Sequence, residues 1–206
     1  MPVNQADDRV WFDSERKLIE ICKEVRTESD QGAVVLVLSH FPSSLSRVTT
    51  LMREAAVQHQ SFSTYDSSLL CSAPAGTVWT GLGRAFSSPT APQMAGSGAI
   101  KLKILVVEHH PQASKDQALL DTAAKLSCQV ELCFHFSLDD PMLRHFNGDA
   151  IQKLFKTLGI AETESLSHPL ITTAIRSAQE KIETLVRKDL QTESIEDWFK
   201  YNLRNE

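Results

Sequence analysis

This sequence predicts an α/β fold: a mostly parallel sheet flanked by helices, followed by a C-terminal helical extension. Two apolar runs, AVVLVL at 33–38 and KILVV at 103–107, are continuous rather than alternating and are bounded by turn residues. Such runs suit strands buried on both faces, as parallel strands are. Stretches of helical period separate the strand-like runs, and from Pro169 onward the signals are helical. With 206 residues, 42% of them hydrophobic, the chain can build one ordinary core. The expected division is 1–165 for the α/β domain and 166–206 for the extension.

In chain order, residues 13–27 place Leu18, Ile19, Cys22 and Val25 on one helical stripe. Asp13 or Ser14 is the cap, Trp11 and Phe12 precede it as a staple, and Gln31-Gly32 ends it. After the strand at 33–38, the loop SHFPSS leads to a helix with Leu45, Val48, Leu51, Met52 and Ala55 inward. A strand around His59–Ser63 completes a βαβ unit. TVWTGL at 77–82 reads as a short strand, and SSPTAPQMAGSGA at 87–99 as a long loop.

Beyond the strand at 103–107, Ser114 and Gln117 form a capping box for a helix carrying Ala118, Leu119, Ala123 and Leu126. VELCFHF at 130–136 alternates, with Glu131, Cys133 and His135 on the wetter face, which predicts an edge strand. Asp140 caps a short helix with Pro141 in its first turn and Met142, Leu143 and Phe146 on its apolar side. Asn147-Gly148 turns the chain into a helix capped by Asp149, with Ile151, Leu154, Phe155 and Leu158, ended by Gly159.

Pro169 then opens a helix reaching Lys188, roughly 30 Å at 1.5 Å per residue. Its residues Ile171, Ile175, Ala178, Ile182 and Leu185 form a heptad-like seam. A short helix near Ile195, Trp198 and Phe199 closes the chain. The seam and Trp198 are the candidate partner-binding residues, because an unaccompanied apolar helix face must be covered by its own domain or by another protein.

Composition narrows the function classes. A net charge of -5 argues against nucleic acid as the main partner, since phosphate binding rests on clustered Lys and Arg. Cys22, Cys71, Cys128 and Cys133 show neither a CxxC pair nor zinc spacing, so reduced buried thiols and no metal are expected. The N-terminus lacks a signal pattern, and no apolar run approaches the ~18 residues of a membrane helix. A cytoplasmic protein without membrane insertion is the expectation.

Three groups of residues invite chemistry. Ser39 and His40 end one strand, and Glu108, His109 and His110 end another, where open α/β sheets place ligands. Their convergence would allow a metal site or a Ser-His-acid constellation; capping and surface roles compete with it. Gly81, Gly83 and Arg84, within GLGR, could cradle a phosphate or simply form a tight turn. Asp139 and Asp140 form a carboxylate pair, for which capping by Asp140 is the simpler account.

From Phe134 the chain resembles the SecA family, the ATP-driven motors of bacterial preprotein translocation. FHFSLDDPMLRHFNGDAI here aligns without a gap with the family's FYLSLEDDLMRRFGSERI. The family's MVTKAIERAQKKVE helix is matched by ITTAIRSAQEKIE, with Ala174, Ile175, Ala178, Gln179 and Lys181 kept. VVLVLSHFPSSLSRVTTLM at 34–52 and KILVVEHHPQASKD at 103–116 resemble the family more weakly. The resemblance implies a second motor domain of RecA-like fold, joined to the start of a helical scaffold.

The departures decide what activity it implies. In the family, ATP sits between two RecA-like domains, and the P-loop belongs to the first. No GxxxxGK[ST] occurs in this sequence, so the resemblance implies that the first domain is absent. Threading the family's QLRGRAGRQGD onto Ala118–Cys128 puts Leu120, Thr122 and Lys125 at its arginine-finger positions. Lysine lacks the planar fork of arginine. The TNMAGRGTDI loop is reduced to TGLGRAF at 80–86.

The expectation is therefore no catalytic residues, no cofactor and no ATPase, but a SecA-like interaction protein docking through 134–203. A SecA-type motor or a second copy would be its partner. The alternatives are a nucleotide or phosphate sensor using Gly81, Gly83, Arg84 and Lys125, and a hydrolase or metal enzyme at the strand ends.

Overall fold

A computed structural model describes residues 4–63, 73–87, 101–126, 128–146 and 164–203. The helix expected at 149–159, Cys71, most of the 87–99 loop and the Phe146 side chain lie outside the described part. In chain order the elements are β1 (Asn4–Gln5), β2 (Arg9–Trp11), α1 (Ser14–Asp30), β3 (Val34–Ser39), α2 (Pro42–Glu54), β4 (Gln60–Phe62) and β5 (Val78–Leu82). There follow α3 (Gly83–Phe86), β6 (Lys101–Val106), α4 (Ala113–Ala124), β7 (Gln129–Ser137), α5 (Pro141–Phe146), α6 (Pro169–Leu185) and α7 (Ile195–Asn202).

The strands form one seven-stranded sheet in the order β1-β7-β6-β3-β5-β4, with β2 also on β7. Every pairing among them is parallel. The α/β expectation holds for the reason given at the outset: Val34 to Leu38 are all at most 1% exposed, so β3 needs apolar side chains in both directions. One face packs Val35, Val37 and Leu105 against Leu18, Ile21, Val25, Val48 and Met52 of α1 and α2. The other packs Leu36, Leu38 and Ile104 against Phe86, Leu119 and Ala123 of α3 and α4.

Local signals act much as expected. Asp13 caps α1, accepting Arg16 N–H at 2.7 Å, and Gly32 turns out of it at φ +85°. Asp140 caps α5, accepting Met142 N–H at 2.9 Å. The capping box expected at 114–117 is not formed: α4 begins at Ala113 after Gln112, and Gln117 bonds Asp121 at 2.8 Å instead. The long helix stops at Leu185, three residues short of Lys188.

The edge assignment of the 130–136 strand needs correcting. β1 and β2 pair with β7 on the side away from β6, so β7 is an interior strand. Its supposedly wet face is buried, with Cys133 and His135 both at 0% exposure. Glu131 on that face meets the buried Lys103 of β6, whose Nζ also lies 3.2 Å from Glu24 and 3.8 Å from Glu28 of α1. Burial alone would lower the Lys103 pKa; the Glu131 and Glu24 partners outweigh it and raise it. An ion cluster under a helix thus imitates a solvent face in sequence.

The extension completes a third apolar cluster at the carboxyl end of the sheet. Ile171, Ile175, Ala178 and Ile182 are 1, 2, 0 and 0% exposed, packed with Val10, Phe41, Phe136, Met142, Leu143 and Trp198. Removing each of the three isoleucine side chains from water contributes about 1.5–3 kcal/mol. Of the alternatives for covering the seam, the chain's own domain does it. Those four residues and Trp198, 1% exposed, are core, and Leu185 alone of the set stays 37% exposed.

Candidate functional site

β3 sits between β5 and β6, and the chain leaves it for β4 by α2 on one face of the sheet. It leaves β6 for β7 by α4 on the opposite face. The crevice between the carboxyl ends of β3 and β6 is therefore a topological switch point, the usual ligand position in open α/β sheets. The five strand-end residues Ser39, His40, Glu108, His109 and His110 converge here.

The three histidines among them are organised by a residue outside the predicted set. Asp116, in the first turn of α4, takes four donors on its two carboxylate oxygens. Oδ1 lies 2.8 Å from His40 Nε2 and accepts His110 N–H at 2.9 Å. Oδ2 lies 2.8 Å from His109 Nδ1 and accepts from Gln179 Nε2 at 2.7 Å. His109 Nε2 is 3.5 Å from Asp8 Oδ1, so the imidazole is held between two carboxylates. Its other ring contact is a stack on Phe134, centroids 4.4 Å apart.

Electrostatics follow from this packing. Burial disfavours the His109 cation, but the Asp116 charge and hydrogen bond, with Asp8 behind, raise its pKa to about 10. Burial would raise the Asp116 pKa; the His109 charge and the bonds from His109 and His40 hold it well below the usual carboxylate range. His110 goes the other way: burial and the adjacent His40 push it down to about 3. Its Nδ1 accepts Gln112 N–H at 3.0 Å, which leaves the ring proton on Nε2.

Ser39 is not set up as a nucleophile. Its Oγ lies 2.7 Å from Glu108 Oε1 and 2.8 Å from the Phe41 carbonyl, and it accepts Phe41 N–H at 3.2 Å. His40 Nε2 and His109 Nδ1 are taken by Asp116 and His110 Nδ1 by Gln112 N–H, and no imidazole bonds Ser39 Oγ, so the Ser-His-acid geometry is not assembled. Among the described residues, no group of three or more His, Cys, Asp or Glu could hold a metal ion. What the cluster does is join β3, β6, α4 and α6 through one ionised, saturated carboxylate.

Of the four phosphate candidates, only Gly83 and Arg84 are brought together. A Cβ on Gly81 would overlap the Phe62 ring, and one on Gly83 would meet Leu119 Cδ2 at 3.2 Å and His40 Nδ1 at 3.3 Å. Both glycines are thus accounted for by close packing. Lys125 follows the last turn of α4, ten residues and about 15 Å along the axis from Lys115. Gly83 and Arg84 both line a cleft of about 140 Å³ at the strand ends. His40, His110, Lys115 and Trp198 line it too, as do Asp189 to Thr192 of the strap joining α6 to α7.

Sequence reasoning missed Asp8, Asp116 and Gln179. Gln179 carried a signal: it is a polar residue beside an apolar seam and one of those kept from the family helix. Asp116 sits one turn beyond two histidines that end a strand, at a helix start where an acid is expected in any case.

No family model matches the chain. It is 26% identical over 192 residues to the protein translocase subunit SecA of Lachnoclostridium phytofermentans, covering 86% of this chain and 21% of that protein. Against SecA of Thermotoga neapolitana it is 27% identical over 195 residues, 89% of this chain and 22% of the relative. Against SecA of Acidithiobacillus ferrooxidans it is 34% identical over 92 residues, 43% of this chain and 10% of the relative. Among solved structures, the DEAD-box protein SrmB of E. coli, bound to a regulator of ribonuclease activity, aligns at TM-score 0.47 and 10% identity over 69% of this chain and 82% of that one. The C-terminal part of the Fun30 ATPase domain aligns at TM-score 0.44 and 11% identity, over 82% and 54%. The chain spans about a fifth of the first two SecA subunits. Its similarity to SecA runs over nearly its whole length, as the segments from Phe134 onward implied.

Proposed function

We propose that this chain is a SecA-related domain that does not hydrolyse ATP by itself and acts as a protein-interaction module, in a process linked to protein translocation. The observation that carries the interaction reading is where apolar surface remains. Four large hydrophobic side chains are exposed among the described residues: Phe12, Leu185, Leu190 and Tyr201, at 41, 37, 48 and 51%. Three of them belong to the extension. Backbone contacts gather them, with Val186 bridged to Leu203, Arg187 N–H on the Asn202 carbonyl, and Leu190 clasped by Asn202. Apolar side chains brought to the same end of the extension by these contacts favour a docking role over single scattered exposures.

The non-hydrolysing part rests on chemistry. At the three positions where the related motor presents arginine fingers, Leu120 packs against the core, Thr122 bonds the Ala118 carbonyl at 2.8 Å, and Lys125 is exposed. None offers a guanidinium to a transferring phosphoryl group.

Deleting 168–206 is a poor test, because it would strip the third core cluster. The better experiment is light scattering on the intact chain across concentration, alone and with purified SecA. A mass above the monomer in either case, reverting with Leu190→Ser and Tyr201→Ser, is expected. A monomer in both overturns the interaction reading. Phosphate release from ATP by the isolated chain overturns the other half.

A further inference from the structure

We propose that the strand-end cleft is a receptor for one carboxylate side chain of a protein partner, with Lys115 as its charge partner and Asp189 as a resident stand-in. This rests on the interaction reading and names the chemistry of the contact.

Four observations lead to it. The cleft lies at the switch point, and Arg84 and Lys115 line it, while Asp189 is the one carboxylate in its wall among the described residues. Its volume of about 140 Å³ is well under the ~300 Å³ at which pockets for small-molecule ligands begin, so it admits a side chain rather than a nucleotide. Its other walls are the rings of Phe41, His110 and Trp198; His110 is uncharged and carries its proton on Nε2, a neutral donor for an oxyanion.

The fourth observation is what already occupies the cation. Lys115 Nζ and Asp189 Oδ2 are 2.6 Å apart, with side chains 41 and 53% exposed. A pair so wet contributes little and exchanges readily, so an incoming carboxylate displaces Asp189 at small cost. The strap need not unfold for this. Asn202, fully buried, donates to the Leu190 carbonyl at 3.1 Å and accepts Leu190 N–H at 2.6 Å, fixing the backbone beside Asp189. Leu190 then stands at the rim, so the partner segment carries an apolar residue next to its acid.

The test is NMR titration of the intact chain with N-acetylglutamate amide, with N-acetylglutamine amide and inorganic phosphate as parallel probes. The glutamate probe should shift the Lys115 side-chain and Trp198 indole resonances, and the glutamine probe should not. Asp189→Asn should tighten glutamate binding by up to about fivefold, the most that an exposed pair withholds. Lys115→Gln should weaken it by up to about the same factor. Both positions are half exposed, and a melting curve on each variant confirms the fold. Unchanged affinity in Asp189→Asn or in Lys115→Gln, or equal shifts with glutamine, overturn the proposal. Preference for phosphate overturns the carboxylate assignment in favour of a phosphoryl ligand. A chain that binds the glutamate probe yet stays monomeric and ignores SecA sinks the interaction reading alone. An assembling chain that ignores the probe sinks only the site.

Discussion

Gln179 Nε2 donates to Asp116 Oδ2 at 2.7 Å and to the His110 carbonyl at 2.8 Å, spending both amide protons on the strand ends. Through that one side chain the long helix of the extension is tied to the carboxylate that gathers His40, His109 and His110. Asp116→Asn keeps the shape but removes the charge opposite a buried imidazolium. It should cost about 3–5 kcal/mol, the range for breaking a buried ion pair. Gln179→Leu, which takes a donor from both the His110 carbonyl and Asp116 Oδ2, should cost about 1–3 kcal/mol. Urea unfolding of both singles and the double variant measures them. Because the residues share a bond, the double should fall short of the sum; strict additivity would mean that the helix is not anchored here.

The same network predicts a pH dependence. His109 has a folded pKa of about 10 against 6.5 unfolded. Its contribution to stability is therefore complete below pH 6.5 and declines as pH rises toward 10, at up to about 1.4 kcal/mol per unit. Cys22 and Cys133 are pushed up by burial to about 11 and 12, so they add their own decline only above pH 9. Chemical denaturation at pH 6.5, 7.5 and 8.5 should show falling stability in the wild type and a flatter profile in His109→Gln. Parallel profiles would assign the slope elsewhere.

The seam gives a test that separates core from docking face. Ile175 is 2% exposed against its own domain, so Ile175→Ala should cost about 2–5 kcal/mol in the isolated chain. Leu190, 48% exposed, should change stability by no more than about 0.5 kcal/mol on substitution by Ser while altering any assembly. The reverse ranking, read from thermal melts of the two variants, would return the seam to the surface.

Gly81 follows the same logic on the other side of β3. The Phe62 ring lies where a Cβ would be, so Gly81→Ala should cost about 1–3 kcal/mol by overpacking. Phosphate binding, if any is detected, should be unaffected; a stable variant that loses it would revive the glycine loop as a cradle.

How much of this was legible depended on the range of the interaction. The buried strands and the caps Asp13 and Asp140 follow from composition and spacing within a few residues, and the strand-end convergence from the general rule for open parallel sheets. The N-terminal strands β1 and β2 did not show, because two and three residues are too few for periodicity, and their partner β7 lies over 120 residues away. Missing them made β7 look like an edge. Asp116 and Gln179 were obscure for a related reason: 63 residues separate them, and nothing local marks a carboxylate that will take four donors. The seam was read correctly as apolar and helical, but whether it packs inward is a property of the whole domain.

Asp140 loses its contribution in the same direction as His109, with rising pH, but over a lower range and within one side chain's substitution. It is 6% exposed, its Oδ1 accepts Met142 N–H, and burial raises its pKa to about 6, with Lys17 pulling down and Glu108 pushing up. A folded pKa above the unfolded 3.8 means that the neutral acid is favoured. The contribution is present below pH 3.8 and is lost as pH rises through about 6, beyond which a buried charge is carried at a cost. Asn preserves the capping oxygen and removes the charge. Asp140→Asn should thus be near neutral at pH 4 and more stable than wild type by roughly 1–3 kcal/mol at pH 8. The difference between the two proteins is the quantity to follow. His110 and His135, both kept uncharged by burial, lose stability in the other direction as pH falls below 6.5 and shape the wild-type curve. A variant less stable than wild type at pH 8 would mean that the ionised carboxylate is held by Lys17 after all.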